Sequence, residues 1–301
     1  MAVTDATIAS GVHVAPIAGA LGAEVRGIRL ASAGADEAAT IRRLLLDHKV
    51  LFFPDQHLTV EQHVALGRHF GPLESHPHLK NPFTKHPELF ELAASGGGIA
   101  DEWHTDLTFL AQPSVMSILN MVRCPDVGGD TMWANLERAY ESLSAPLREL
   151  CAGLTALHAA EPHGRPESMA VHPVVRVHPD TGLRSLYVNE HFTRRIVELS
   201  HAESTALLAL LTSWVHQERF TVRYRWREGT VAFWDNRCTQ HFVLDDFDGE
   251  RVIQRITVMG DQPSGDPPRW EPFTRARGSA QSRHDRQLRR FLAASDTSPR
   301  S

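Results

Sequence analysis

The stretch that decides the fold is Ser114-Val-Met-Ser-Ile-Leu-Asn-Met-Val-Arg-Cys124, which is followed directly by Pro125-Asp-Val-Gly-Gly-Asp130. An apolar run of this length that ends in a cluster of Pro, Asp and Gly is typical of a buried β-strand and its turn. The same pattern predicts further strands at 88–94, 153–160, 173–178, 184–189, 220–227, 230–235 and 251–259. Because strands and helices do not alternate here, the pattern favours an antiparallel jelly roll over a doubly wound sheet.

The first seventy residues predict a mixed α/β portion. Strand-like pieces at 12–17 and 23–30 precede an amphipathic helix over 36–48 and a buried strand at 50–53. Thr59, with Gln62 three residues later, is a capping box that predicts a helix running to about residue 70. Another helix is predicted over 202–216. The fold class expected is therefore mainly β with flanking helices (α+β).

The expected domain organisation is one domain over 1–263 and a basic C-terminal tail over 264–301. This tail carries eight Arg against four acidic residues, with Pro267-Pro268, repeated Ser and few large apolar side chains. Such a composition is typical of a mobile segment, in which one helix near 281–292 is the expected element.

Composition argues against several classes of protein. Thirty-one Lys and Arg against 36 Asp and Glu give a net charge of −5, which does not favour nucleic acid as a partner. No secretory signal or run of about 18 apolar residues is present, so no membrane partner is expected. The three cysteines are far apart and form no CxxC pair, which disfavours a disulfide framework and a thiolate zinc site. A cytoplasmic protein is expected.

Eighteen histidines make metal binding worth considering, and their spacing selects among them. The pairs with a histidine two residues before an acid include His86-Pro-Glu88, His104-Thr-Asp106 and His178-Pro-Asp180. On an extended strand such residues point to one side, as a metal site with two histidines and a carboxylate requires. Of these three, only His104-Thr-Asp106 lies without proline in an apolar setting. A buried histidine beside a strand-end aspartate is the alternative interpretation of this pair.

A third ligand and two cations come from the end of the predicted sheet. His241 ends the segment Trp234-Asp-Asn-Arg-Cys-Thr-Gln-His241, and Arg251 and Arg255 share one face of the strand that follows. Arginines on a face fit for a barrel interior are costly unless they meet anions. The alternative is an exposed edge whose arginines pair with nearby acidic residues.

In order along the chain, these motifs resemble the Fe(II)/2-oxoglutarate-dependent taurine and 2,4-dichlorophenoxyacetate dioxygenase family. The resemblance runs from about residue 14 to residue 263. It rests on Trp103-His104-Thr105-Asp106 with Thr108-Phe109, Gly128-Gly129-Asp130-Thr131, Trp234 to His241, and Arg251-x3-Arg255. It implies a double-stranded β-helix, the jelly-roll, cupin-like core, and an oxidoreductase that uses Fe(II), O2 and the co-substrate 2-oxoglutarate. It also implies a homo-oligomer, because dimers and tetramers are common in the family.

The resemblance assigns roles position by position. His104, Asp106 and His241 would hold Fe(II) at the catalytic centre. Arg251 and Thr131 would bind the distal carboxylate of 2-oxoglutarate. Arg255, the second arginine of the cofactor-binding pair, would also receive the acidic group of the substrate.

The remaining predicted substrate residues are more apolar than in taurine dioxygenases. His76 would make a second anion contact, whereas Leu79 and Ala100 replace side chains that can bind an amine. Leu107 and Phe192 complete the predicted lining. The expected substrate is a small organic anion: an alkyl sulfate, a sulfonate of the taurine type or an aryloxyalkanoate. The alternatives are a hydroxylase of an amino acid or biosynthetic intermediate and a non-catalytic jelly-roll binding protein.

Overall fold

The computed structural model describes residues 6–8, 11–75, 85–94, 100–274 and 283–296. Within these ranges the helices are α1 (Ala35–His48), α2 (Val60–Arg68), α3 (Leu136–Glu141), α4 (Ala145–Ala152), α5 (His201–Val215) and α6 (Arg283–Asp296). The strands of the described residues are β1 (Ala6–Ile8), β2 (Val12–Pro16), β3 (Ala23–Arg26), β4 (Val50–Phe53), β5 (Leu89–Ala93), β6 (Ser114–Arg123), β7 (Thr131–Asn135), β8 (Thr155–Ala160), β9 (Arg165–Pro173), β10 (Val175–Val177), β11 (Arg184–Leu186), β12 (Thr193–Ile196), β13 (Thr221–Tyr224), β14 (Val231–Asp235), β15 (Thr239–Val243) and β16 (Val252–Met259). None of these helices is both long enough and apolar enough to cross a bilayer.

The described residues group into two compact units. The first takes its residues from 1–105, 114–135 and 217–261. The second takes its residues from 106–113, 136–216 and 262–301. Each unit thus takes its residues from three separate segments of the chain.

The first unit is a sandwich of two sheets. Its larger sheet has the strand order β1-β2-β3-β4-β14-β6-β16-β5, and its smaller sheet the order β13-β7-β15. Every pairing is antiparallel except that of β3 with β4. This is the mainly β architecture with flanking helices that the strand pattern predicts.

The two faces of the larger sheet bury different residues. Alternate side chains of β4 point to opposite faces of the sheet. All four residues are buried because both faces are covered. Leu51 and Phe53 belong to a cluster that contains the apolar side of α1, whereas Phe52 joins Trp133 and Trp234 in the cluster between the sheets. The interior of the sandwich is therefore rich in aromatic rings.

The capping box before α2 forms as predicted. The Thr59 hydroxyl accepts a hydrogen bond from the backbone N–H of Gln62 at 3.3 Å, and the Gln62 side chain accepts one from the N–H of Thr59 at 3.0 Å. These bonds satisfy two N–H groups that a helix start otherwise leaves without partners.

The second unit contains the three-stranded sheet β12-β8-β9, the hairpin β10-β11 and helices α3 to α6. The described part of the predicted tail contains helix α6, close to the helix predicted near residues 281–292. Helix α6 buries Leu288 against Leu157 and Val197, and Asp285 accepts a 2.7 Å hydrogen bond from buried Arg195. An amphipathic pattern inside a basic segment therefore gives this helix a packed face.

Candidate active site

The main chain holds His104 and His241 side by side. They form an isolated antiparallel bridge in which the N–H of His104 donates to the carbonyl of His241 at 3.1 Å. The N–H of His241 donates back to the carbonyl of His104 at 2.8 Å. The two ring centroids are 4.0 Å apart. Thr105 secures the same junction, because its hydroxyl donates to the carbonyl of Thr239 at 2.7 Å.

Asp106 completes a group of possible metal ligands. Ligand atoms of His104, Asp106 and His241 all lie within 4.8 Å of one another, and the three residues are 6 %, 4 % and 4 % exposed. Asp106 begins a turn rather than lying on a strand. The strand alternation used to place the pair on one side is therefore wrong, although the predicted ligands do come together.

The chemistry of this donor set fits a divalent transition metal. Two imidazoles and one carboxylate are the ligands of mononuclear non-haem iron sites. The Nδ1 of His104 lies 2.7 Å from the carbonyl oxygen of Glu102, which can only accept, so Nδ1 carries the proton. In the neutral ring, Nε2 then has the lone pair that a metal needs.

Arg251 reaches Thr131 from the start of β16. Its guanidinium donates to the Thr131 hydroxyl at 3.3 Å and to the carbonyl of Gly129 at 3.1 Å. Arg251 is 6 % exposed, and this burial lowers its pKa to about 10 because desolvation disfavours the charged form. A bound carboxylate would favour that charge again, so the pair has the character of an anion site.

The turn before Thr131 requires its two glycines. Gly128 and Gly129 have φ angles of +81° and +67°, in the left-handed region that favours glycine. A Cβ on Gly128 would lie 2.3 Å from the carbonyl oxygen of Asp246. The motif Gly128-Gly129-Asp130-Thr131 thus brings the chain close enough for Arg251 to reach the Gly129 carbonyl.

Sequence reasoning missed Trp226 at this site. The indole Nε1–H of Trp226 donates to the Thr131 hydroxyl oxygen at 2.8 Å, and both residues are buried. A hydroxyl oxygen has two lone pairs, and N–H donors from Trp226 and Arg251 face both. The Thr131 proton is therefore left to donate to another group. No local pattern in the sequence relates residues 95 positions apart.

The predicted substrate residues occupy several environments. Arg255 is half-buried on β16, with its guanidinium carbon 5.6 Å from the ring centroid of Phe90. Ala100 is half-buried, and its carbonyl accepts the N–H of Val243 at 2.9 Å, two residues after His241. Leu107 is 8 % exposed.

Phe192 is only 2 % exposed and packs edge-on against Phe109 at 5.1 Å between ring centroids, which is the environment of a core residue. His76 and Leu79 lie outside the described residues. The structure therefore gives no geometry for the second anion contact.

Two buried histidines and an aspartate with ligand atoms within 4.8 Å of one another, together with a buried arginine that donates to a threonine hydroxyl, are typical of mononuclear non-haem iron oxygenases that use an organic co-substrate. The chain matches the family described as "Taurine catabolism dioxygenase TauD, TfdA family" over residues 13–257. It therefore belongs to this family and is a 2-oxoglutarate-dependent dioxygenase, for which the family implies iron and 2-oxoglutarate.

Individual relatives agree with this assignment. An alpha-ketoglutarate-dependent sulfate ester dioxygenase of Pseudomonas putida is 38 % identical over 87 % of this chain and 96 % of its own length. An alkylsulfatase of Acinetobacter baylyi is 37 % identical over 83 % of this chain and 85 % of its own. The crystal structure of a taurine dioxygenase from Burkholderia xenovorans is 41 % identical, with a TM-score of 0.77 over 86 % of this chain and 94 % of the other.

Proposed function

We propose that this protein is an Fe(II)-dependent dioxygenase that oxidises alkyl sulfate esters with 2-oxoglutarate and O2. The observation that carries the proposal is the buried group of His104, Asp106 and His241, together with the buried Arg251–Thr131 pair. The two features supply the two needs of the reaction, a redox metal and an anchor for a dicarboxylate.

His104, Asp106 and His241 hold the metal in this proposal. The Nε2 of His104 is the nitrogen that binds it, because Nδ1–H is engaged by the carbonyl of Glu102. With iron bound, the centre supplies the redox chemistry that joins substrate oxidation to the conversion of 2-oxoglutarate to succinate and CO2. Three protein ligands leave positions open for the reactants.

Arg251 and Thr131 bind the distal carboxylate of 2-oxoglutarate. A guanidinium can bind a carboxylate in bidentate fashion and stays charged when partly buried. The Thr131 proton, which no acceptor within the pair requires, adds a hydrogen bond to the same group. This anchoring orients the other end of the co-substrate without using a residue of the metal site.

An alkyl sulfate agrees with the named activities of the relatives and with the chemistry of the predicted substrate-binding side chains. The named activities of the Pseudomonas and Acinetobacter relatives concern sulfate esters. Half-buried Arg255 is the cation proposed for the sulfate, whereas Ala100 and Leu107 offer an apolar lining without an amine ligand. A small anion with an apolar body fits this combination better than taurine does.

The proposed reaction balances as follows. One oxygen atom of O2 enters succinate as 2-oxoglutarate loses CO2, and the other enters the C–H bond next to the ester oxygen. The resulting hydroxylated carbon carries the sulfate ester, and its C–O bond to sulfate then breaks. The products are an aldehyde, inorganic sulfate and a proton.

The test measures succinate and inorganic sulfate together, with Fe(II), 2-oxoglutarate and either a linear alkyl sulfate, taurine or no substrate. We expect the alkyl sulfate to release both products in equal amounts, and Asp106→Ala to abolish both. Succinate formation stimulated by taurine but not by alkyl sulfates would overturn the substrate class. Failure of the protein to bind Fe(II) and 2-oxoglutarate anaerobically would overturn the whole proposal.

A further inference from the structure

Two buried histidines of the second unit have no part in the proposed chemistry. His158 on β8 is 0 % exposed and His172 on β9 is 2 % exposed. Burial lowers the pKa of His158 well below its usual range and that of His172 to about 4, so both rings are neutral near pH 7. Burying polar rings is costly unless their hydrogen bonds serve the structure. The hydrogen-bond partners of the two histidines therefore indicate which part of the structure they stabilise.

His172 holds the main chain that follows Asp106. Its Nε2 lies 2.9 Å from the carbonyl oxygen of Thr108 and 3.0 Å from that of Leu110. Both partners can only accept, so Nε2 carries the proton and donates to both. The His172 side chain thereby holds two backbone carbonyl groups of the segment that begins at Asp106.

His158 holds the side chain of the same turn. Its Nδ1 lies 3.0 Å from the hydroxyl oxygen of Thr108, which is 0 % exposed. Asn189 donates to that oxygen at 3.3 Å. The hydroxyl of Thr193 lies 3.3 Å from the same Nδ1 and accepts the N–H of Asn189 at 2.9 Å. Together, Thr108, His158, His172, Asn189 and Thr193 form what we term the Thr108 cluster.

The turn to which this cluster is hydrogen-bonded contains one residue with an unfavourable backbone conformation. Leu107, between Asp106 and Thr108, has a φ of +59°. A side chain with a Cβ pays about 1–2 kcal/mol for this left-handed region, and such a residue persists only when its surroundings impose it. The N–H of Leu110 also donates to the carbonyl of Leu107 at 2.9 Å, which closes the turn. The Thr108 cluster contacts this turn at Thr108 and Leu110, directly after the residue with the unfavourable φ.

We infer that His172 and His158 are positioning residues that hold Asp106 in the orientation in which it binds the metal. Asp106 is attached to Thr108 through Leu107 alone, so release of Thr108 frees the turn to relax from its strained conformation. The carboxylate then loses the part of its positioning that comes through Thr108, while His104 and His241 remain joined by their backbone bridge. This inference rests on the proposed role of Asp106 as a metal ligand.

The test compares the binding of Co(II), a redox-stable probe of the metal site, by the full chain and four variants. His172→Leu removes the donor, and His172→Gln retains an amide that can donate to both carbonyls. Thr108→Val removes the hydroxyl that contacts His158 and Asn189, and it keeps nearly the same side-chain volume. Affinity and the visible Co(II) spectrum are measured below the unfolding temperature of each variant. His63→Leu is the matched control, because His63 is also 0 % exposed but its Nε2 contacts the carbonyl of Ile118 on β6 at 3.1 Å.

We expect His172→Leu and Thr108→Val to weaken Co(II) binding by about ten- to a hundredfold, the usual effect of removing a group that orients a metal ligand. His172→Gln should restore affinity to within a few-fold, and His63→Leu should leave it unchanged. Wild-type affinity in folded Thr108→Val would overturn the inference. Equal losses in His172→Leu and His63→Leu would also overturn it, because they would indicate general destabilisation.

An Asp106→Ala variant separates the two levels of the argument. If it binds Co(II) as well as the wild type does, the proposed metal role of Asp106 fails. If it binds weakly while His172→Leu and Thr108→Val bind normally, only the positioning role fails.

Discussion

The hydrogen bond from Trp226 to Thr131 makes a quantitative prediction about co-substrate affinity. The indole Nε1–H and the Arg251 guanidinium face the Thr131 hydroxyl oxygen at 2.8 Å and 3.3 Å. These two donors leave the Thr131 proton available for the carboxylate of 2-oxoglutarate. Trp226→Phe removes one of these donors. The Thr131 hydroxyl can then rotate, and its proton no longer points in one fixed direction.

The expected size of the effect follows from one hydrogen bond between neutral groups. A typical bond of this kind contributes about 0.5–1.5 kcal/mol net, so Trp226→Phe should weaken 2-oxoglutarate binding by about two- to tenfold. None of the three proposed metal ligands takes part in this hydrogen bond, so the affinity for Fe(II) should stay at the wild-type value. Anaerobic calorimetric titration of the iron-loaded protein with 2-oxoglutarate measures the change.

Two controls separate the hydrogen bond from loss of packing, because Trp226 also lies 5.4 Å from the ring centroid of Tyr224. Trp214→Phe removes another indole N–H bond, 2.9 Å long and directed to the carbonyl of Ala139, and should leave 2-oxoglutarate affinity unchanged. In a Thr131→Val background, Trp226→Phe should cost nothing further. An equal loss in both backgrounds would refute the reasoning, since the effect would then not pass through Thr131.

Three further predictions concern binding and stability. Arg251→Lys keeps a charge but not the planar fork, so the Kd for 2-oxoglutarate should rise at least tenfold, and an unchanged titration would contradict the carboxylate role. Phe233→Ala should lower the free energy of unfolding by about 3–5 kcal/mol, because this fully buried ring packs against Phe53 and Phe70; urea denaturation would show a smaller loss if the site collapses. Burial lowers the pKa of His63 from 6.5 to about 4, so its neutral form is favoured in the folded state. The protein should therefore lose up to about 3 kcal/mol of stability as pH falls from about 6.5 to 4, and His63→Leu should remove that part of the pH dependence.

Runs with strong local signals were predictable from the sequence. Strand β4 at Val50–Phe53 and helix α5 at His201–Val215 lie where their apolar patterns indicate. In contrast, the predictions do not include β15, Thr239–Val243, because its Thr, Gln and His resemble a polar connection. These polar residues are buried because the strand pairs with β7. Burial imposed by long-range pairing has no local signature.

The candidate site divides in the same way. The proximity of His104, Asp106 and His241, the proposed metal ligands, was predictable because these residues belong to motifs with recognisable spacing. The Thr108 cluster was not predictable from the sequence, because His158 lies in an apolar strand and has the pattern of an ordinary core histidine. Its meaning depends on Thr108, 50 positions earlier in the chain. Contacts of this kind follow only from the three-dimensional arrangement.

The backbone bridge between His104 and His241 has a consequence for biosynthesis. The two residues are 241 − 104 = 137 positions apart, so their mutual hydrogen bonds close a large loop of the chain. Closing so large a loop is entropically expensive and comes late in folding. During translation, a nascent chain that has not yet released β15 has only two of the three proposed ligands, His104 and Asp106. If these three residues hold the metal as proposed, metal loading follows the synthesis of β15, and a ribosome stalled before residue 241 holds a chain that lacks the third ligand.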